Sequence, residues 1–156
     1  MSPMNRLSEL KERKKLDNKG FSLVELIIVI AIMAVLIGVL APQYLKYVEK
    51  ARRSADLDSW DSIVSAIEIY ASDPANTASV TGTETVSFTA KGTAGTASGW
   101  LDTALKDSGI TIGNVSMKSN VFGKSSVSVD ATGTYINFTF TGDDETNDPL
   151  GKALGR

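Results

Sequence analysis

The chain of 156 residues contains neither cysteine nor histidine. Without cysteine it can form no disulfide, no thiolate metal site and no cysteine nucleophile. Without histidine it lacks the commonest general base and the commonest transition-metal ligand. These two absences argue against an enzyme, and the sequence contains no recognisable nucleophile motif.

Positive charge is also scarce in most of the chain. The formal net charge is −2, but residues 1–20 hold six basic side chains against three acidic ones. The rest of the chain is therefore net acidic, and its lysines are scattered. An acidic body without a basic stripe indicates no nucleic-acid partner.

A long apolar run follows the basic stretch. Leu26 to Ala41 carries no charge, and between Phe21 and Leu45 the only charged residue is Glu25. A helix rises about 1.5 Å per residue, so this window could cross the roughly 30 Å hydrocarbon layer of a bilayer. Basic residues before an apolar run mark the cytoplasmic side of the membrane.

Three interpretations of this run compete. A secretory signal peptide would have a shorter apolar core that ends at a small-residue cleavage site. An ordinary membrane anchor fits the hydropathy but gives no reason for Glu25. Cleavage between Gly20 and Phe21 gives such a reason, because it creates a free α-amine on Phe21. In a helix, residues 21 and 25 share a face, so the new amine can neutralise the carboxylate in the same chain or a neighbour.

The run from Lys19 to Ile32, with Pro42 further on, resembles the N-terminus of type IV prepilins, which carry class III signal peptides. In that family a prepilin peptidase cuts after the glycine and methylates the new N-terminal phenylalanine. The glutamate then pairs with a neighbouring subunit's amine during assembly. The resemblance places cleavage at Gly20–Phe21, methylation at Phe21, and the charge pair at Glu25 and Phe21.

The resemblance implies a structural subunit that polymerises into a type IV pilus with identical copies. It also implies a membrane-inserted precursor, the peptidase/methyltransferase and pilus assembly machinery as partners, and a final place at the cell surface. Residues 1–20 are then a cytoplasmic leader, 21–45 a transmembrane and filament-core helix, and 46–156 an extracytoplasmic domain. One alternative is a pseudopilin of a type II secretion or DNA-uptake system. The other is a membrane-anchored binding domain that never polymerises.

A weak point is predicted inside the helix. Pro42 has no amide hydrogen, so the carbonyl of Gly38 loses its helical partner, and glycine is itself a poor helix former. We expect a kink or a locally melted stretch between these residues.

After Pro42 the pattern becomes amphipathic and ends at Asp73-Pro74. Glu49 with Arg53, and Arg52 with Asp56, are expected to pair on the exposed side. Asp56, Asp58 and Asp61 do not share one helix face and are expected to be solvated, with salt bridges between subunits as the alternative. The apolar stripe of this helix consists of Trp60, Ile63, Val64, Ile67, Tyr70 and Ala71.

The C-terminal part predicts a small antiparallel sheet over that stripe. Expected strands are 85–90, 110–117 around a Gly113-Asn114 turn, 125–130 and 134–141, with a hairpin turn at 131–133. Residues 91–99 are expected to form a flexible loop, and a short helix that starts at Ser98 or Gly99 and ends at Gly109 is expected to bury Trp100. The predicted fold class is α+β: a long N-terminal helical spine packed against a small C-terminal sheet.

A predicted loop near the C-terminal end, around residues 143–148, is rich in side-chain oxygens, which are the ligands that calcium prefers. The spacing is not that of an EF-hand, and such loops are commonly only solvated. No cofactor is otherwise expected. The candidate calcium ligands are Asp143, Asp144, Glu145, Asn147 and Asp148.

Overall fold

The structure, a computed structural model, describes residues 21–132, 135–142, 151, 154 and 155. Its contacts divide the chain into two units, residues 1–44 and 45–156. The elements in chain order are α1 (Leu23–Ser72), β1 (Thr83–Phe88), β2 (Thr96–Ala97), α2 (Gly99–Asp107), a 3₁₀ turn (Ile112–Asn114), β3 (Ser125–Asp130) and β4 (Asn137–Thr141).

Helix α1 contains the apolar run and the amphipathic stretch that follows it. It ends at Ser72, directly before Asp73-Pro74, as the sequence predicts. Gly38 and Pro42 both lie inside α1, which is helical throughout, so the single chain has no locally melted stretch there. The kink stays a prediction.

The four strands form one antiparallel sheet in the order β2-β1-β3-β4. In the central pair, Val86 lies opposite Val127, and Val127 in turn lies opposite Phe140 of β4. Successive side chains of a strand point to opposite faces, so these residues share one face of the sheet. That face is buried, whereas Thr139 and Thr141 on the other face of β4 are exposed.

The hydrophobic core lies between this face and the second half of α1. Trp60 is fully buried and meets the ring of Phe88 edge-on, with centroids 5.2 Å apart. Its indole N–H donates to Ser125 Oγ at 3.1 Å. Tyr70, in the last turn of α1, stacks on Trp100 of α2. The predicted spine, stripe, short helix and α+β class are confirmed.

Two local predictions are wrong. Residues 110–117 do not form a strand: the Asn114 and Val115 amides donate back to Thr111 and Ile112, which closes a 3₁₀ turn where the Gly113-Asn114 turn is predicted. Beyond the turn, Ser116 makes only an isolated antiparallel bridge, to Ala94. The stretch 91–99 is not wholly a loop, since it contains β2, which pairs with β1 and aligns the hydroxyls of Thr96 and Ser87. The predicted turn at 131–133 lies partly outside the described residues.

Candidate functional site

The N-terminus of α1 is capped by the side chain of Glu25. Ser22 is the residue before the helix, and its amide donates to Glu25 Oε2 at 2.8 Å. The Leu26 amide donates to the Ser22 carbonyl at 3.2 Å. Ser-x-x-Glu is the capping-box pattern, in which a glutamate three residues into the helix satisfies an amide that has no intrahelical partner.

Sequence reasoning missed this cap, although the pattern Ser22-Leu23-Val24-Glu25 was readable. Phe21 precedes the helix and is 89% exposed. The helical spacing assumed for residues 21 and 25 therefore does not hold in the single chain. Among the described residues, Glu25 has no cationic partner. Gly20 and the rest of the leader lie outside the described residues, so cleavage at Gly20–Phe21 stays a prediction.

The apolar side chains in the first part of α1 are exposed. Its most apolar 18-residue window has a mean hydropathy of 3.1, and none of that window is buried. Every large apolar side chain from Leu23 to Leu40 is at least half exposed. By length and composition this segment can cross a membrane. Burial is favourable by about 25 cal/mol per Å² of apolar surface, so the segment requires lipid or other protein around it.

A second cluster of charge lies where the amphipathic half of α1 meets the loop before β3. Asp56 is only 2% exposed and accepts three hydrogen bonds from two amides. Its Oδ1 accepts from Lys118 N at 2.8 Å, and its Oδ2 accepts from Lys118 N at 3.1 Å and from Ser119 N at 2.7 Å. Two turns earlier on α1, Glu49 Oε1 accepts a hydrogen bond from the amide of Asn120. We call this arrangement the carboxylate clasp: Asp56 and Glu49 hold three consecutive amides of the 118–120 loop.

The clasp corrects two sequence-based predictions. Asp56 neither pairs with Arg52 nor lies in solvent, because the loop amides enclose it. Glu49 is 3.9 Å from Arg52, three residues on, and no ion pair joins it to Arg53 within the described part of the chain. The sequence carried no signal for the clasp, since its donors are backbone amides more than sixty residues away.

The candidate calcium ligands, residues 143–148, lie outside the described residues, so calcium binding stays a prediction. In the parts of the chain that the structure does describe, no group of three or more potential ligands is placed to hold a metal.

Comparison with known proteins gave one match. The family model for the prokaryotic N-terminal methylation motif matches residues 15–41. This motif is a class III signal peptide and is characteristic of type IV pilin-like proteins, which confirms the resemblance. It implies processing by a prepilin peptidase, and together with the apolar helix it fits a membrane-anchored precursor. Comparison with curated proteins and with solved structures gave no match.

Proposed function

We propose that this chain is a pilin whose copies polymerise into a type IV pilus after cleavage between Gly20 and Phe21 and methylation of Phe21. The observation that carries the proposal is the position of the methylation motif. It covers the start of a helix whose apolar side chains are at least half exposed in the single chain. The motif belongs to structural subunits, so the proposed role is assembly without catalysis.

The first step is insertion and cutting. The basic leader holds residues 1–20 on the cytoplasmic side, and α1 enters the bilayer. Cutting after Gly20 removes the six basic side chains of the leader and leaves one α-amine on Phe21. An α-amine has a pKa near 8, so this group is a cation at neutral pH.

The second step concerns the charge of Glu25. In the uncut chain the Ser22 amide accommodates one carboxylate oxygen, but a single amide does not neutralise a charge. A carboxylate that leaves water for lipid or a protein interior is strongly destabilising unless it is paired. The amine created by the cut supplies the cation, either within the chain or from a neighbouring copy.

The third step is packing. Moving α1 from lipid to protein neighbours gains little hydrophobic free energy, because lipid tails are as apolar as leucine. Close packing of the Leu23–Leu40 side chains and the Glu25–amine pair must therefore determine how copies align. A head-to-tail interface of this kind does not close, so it produces an open filament on the cell surface.

The test separates the charge of Glu25 from its capping role. Glutamine also completes a capping box, so Glu25→Gln keeps an oxygen for the Ser22 amide but removes the charge. Glu25→Ala removes both. We expect both variants to be cut normally and neither to form filaments, as seen by electron microscopy of sheared surface material. Asp107→Asn, an exposed acid on α2, is the matched control and should assemble normally.

If Glu25→Gln formed filaments at the wild-type level, the charge pairing would be contradicted. Glu25 would then act only by capping the helix. The same micrographs distinguish the alternatives. Long surface fibres containing this chain support a pilin, whereas a methylated mature chain in short or absent fibres supports a pseudopilin. An intact N-terminus without fibres supports a membrane-anchored binding domain.

A further inference from the structure

Basic side chains follow directly after the apolar run of α1. The run ends at Leu45, and residues 46–53 then contain four basic side chains and one acidic one, Glu49. Lys46, Lys50 and Arg53 are three and four residues apart, so they share one side of the helix. All three are exposed.

The fold adds a fifth basic side chain from a distant part of the sequence. Lys91 lies in the loop after β1, and its Nζ donates to Asn120 Oδ1 at 2.7 Å. The amide of the same Asn120 donates to Glu49 in the carboxylate clasp. The clasp therefore places the Lys91 ammonium beside α1, with a single residue between it and Glu49. We call these five side chains the basic patch, and its members are Lys46, Lys50, Arg52, Arg53 and Lys91.

The basic patch carries positive charge that the described chain does not neutralise. The acid within it, Glu49, has a side chain that is only 19% exposed and lies 3.9 Å from Arg52. In the part of the chain that the structure describes, no acid forms an ion pair with the other four members. The patch therefore presents a net positive surface to whatever lies next to it.

The position of the patch indicates what lies next to it. Each Lys or Arg at a membrane surface strengthens the attraction to anionic lipid roughly fivefold, and the attraction falls off within a Debye length, about 10 Å at 0.1 M salt. The four members on α1 lie within about 12 Å of Leu45 along the helix, whereas the next exposed acid, Asp58, is about 20 Å away. Tyr47, between them and 71% exposed, is of the residue type that favours the headgroup level. The bilayer surface is thus close to the basic patch and far from the acids.

The leader and the basic patch flank the apolar run on opposite sides. Basic residues near an apolar run bias the orientation, and the six of the leader outnumber the four that follow Leu45. The patch is therefore on the translocated side. Once the leader is cut off after Gly20, the patch is the main concentration of positive charge beside the apolar run.

We propose that the basic patch binds the anionic phospholipid headgroups of the leaflet opposite the leader and so holds the second unit on the bilayer surface before assembly. The inference rests on the membrane insertion in the proposed function, but not on polymerisation. An acidic surface of another protein is the competing occupant. Lipid is favoured because the patch starts at the residue that follows the apolar run.

Lipid selectivity of the full chain is measured by native mass spectrometry from mixed micelles with equal amounts of phosphatidylglycerol and phosphatidylcholine. We expect the wild type to retain phosphatidylglycerol in at least about tenfold preference. Lys50→Gln and Lys91→Gln should each lower that preference by roughly two- to fivefold. Lys106→Gln, which removes one lysine from α2, is the matched control and should leave it unchanged.

Docking is measured with a single fluorophore, because the chain has no native cysteine. Thr89→Cys places the dye at an exposed position two residues before Lys91. Thr103→Cys places it on α2, which contacts Tyr70, about 37 Å along α1 from Leu45. In nanodiscs with nitroxide-labelled headgroups, phosphatidylglycerol should increase quenching at position 89 at least about twofold, and about 0.5 M salt should abolish the increase. Quenching at position 103 should not change.

Several results would overturn the inference. Equal retention of the two lipids by the wild type would leave an acidic protein surface as the occupant of the patch. An unchanged preference in Lys91→Gln would contradict the assembly of the patch by the clasp. A chain that does not enter the nanodisc would contradict the insertion step of the proposed function, whereas one that enters and retains both lipids equally would contradict this inference alone.

Discussion

Replacing Asp56 tests the carboxylate clasp most sharply. Its buried carboxylate is the acceptor for the amides of Lys118 and Ser119. In Asp56→Ala both amides lose that acceptor, and the Ser119 position is fully buried. An unsatisfied buried donor costs about 1–3 kcal/mol, so we expect a loss of roughly 2–5 kcal/mol in the free energy of unfolding.

That loss is measurable as a change in melting temperature. For a domain of about 100 residues, 1 kcal/mol corresponds to roughly 4–8 °C, so Asp56→Ala should melt at least about 8 °C lower. The assay is thermal unfolding of the full chain in detergent, followed by tryptophan fluorescence, because Trp60 and Trp100 are both buried. Asp56→Asn should be intermediate, since an amide keeps one acceptor oxygen but turns a donor towards the loop.

Asp58→Asn is the matched control, an exposed acid two residues later on the same helix, and should change stability by less than about 0.5 kcal/mol. Hydrogen exchange adds a local measurement, because the Lys118 and Ser119 amides should lose protection in Asp56→Ala. Equal melting temperatures for Asp56→Ala and the control would refute the energetic role assigned to the clasp.

Two further predictions concern residues in the sheet and directly beside it. Gly99 has a φ of +49°, and a Cβ there would collide with the Glu84 carboxylate, so Gly99→Ala should lower stability by roughly 1–3 kcal/mol. Adding Glu84→Ala to Gly99→Ala should restore only the part of the lost stability that comes from the collision, as measured by thermal unfolding. A Gly99→Ala protein as stable as the wild type would contradict both the backbone strain and the collision. The pKa of Asp130 lies below its ordinary 3.8, first because the Thr132 hydroxyl donates to it and then because the Thr132 amide does. The carboxylate therefore contributes stability above about pH 3.8 that is lost as the pH falls through the lower folded pKa. Thr132→Ala should raise the pKa towards 3.8 in an NMR titration, and an unchanged titration would show that the hydroxyl has no effect.

The parts of the fold predictable from sequence are those governed by local pattern. The apolar run, the stripe from Trp60 to Tyr70 and the break at Asp73-Pro74 each follow from periodicity or backbone chemistry. Strand β3 matches its predicted range of 125–130 because its side chains alternate between buried and half-buried positions. The motif at the start of α1 was readable because glycine, phenylalanine, glutamate and the apolar run coincide within a few residues.

The parts that were not predictable depend on contacts between distant residues. Asp56 looks like an ordinary surface acid, and only the return of the 118–120 loop encloses it. The stretch 110–117 has strand-like composition, but the Asn114 and Val115 amides close a 3₁₀ turn within it, which leaves only an isolated bridge between Ser116 and Ala94. Strand β2 is two residues long, too short to show a period, and exists because β1 offers it an edge.

We propose that a cut after Gly20 creates the cation that Glu25 requires. Mass spectrometry of this chain, taken from sheared surface filaments, tests this proposal. We expect a mature chain that begins at Phe21 and is heavier by one methyl group. Filaments built from chains that still begin at Met1 would contradict it, because Glu25 would then lie in an apolar core without its amine.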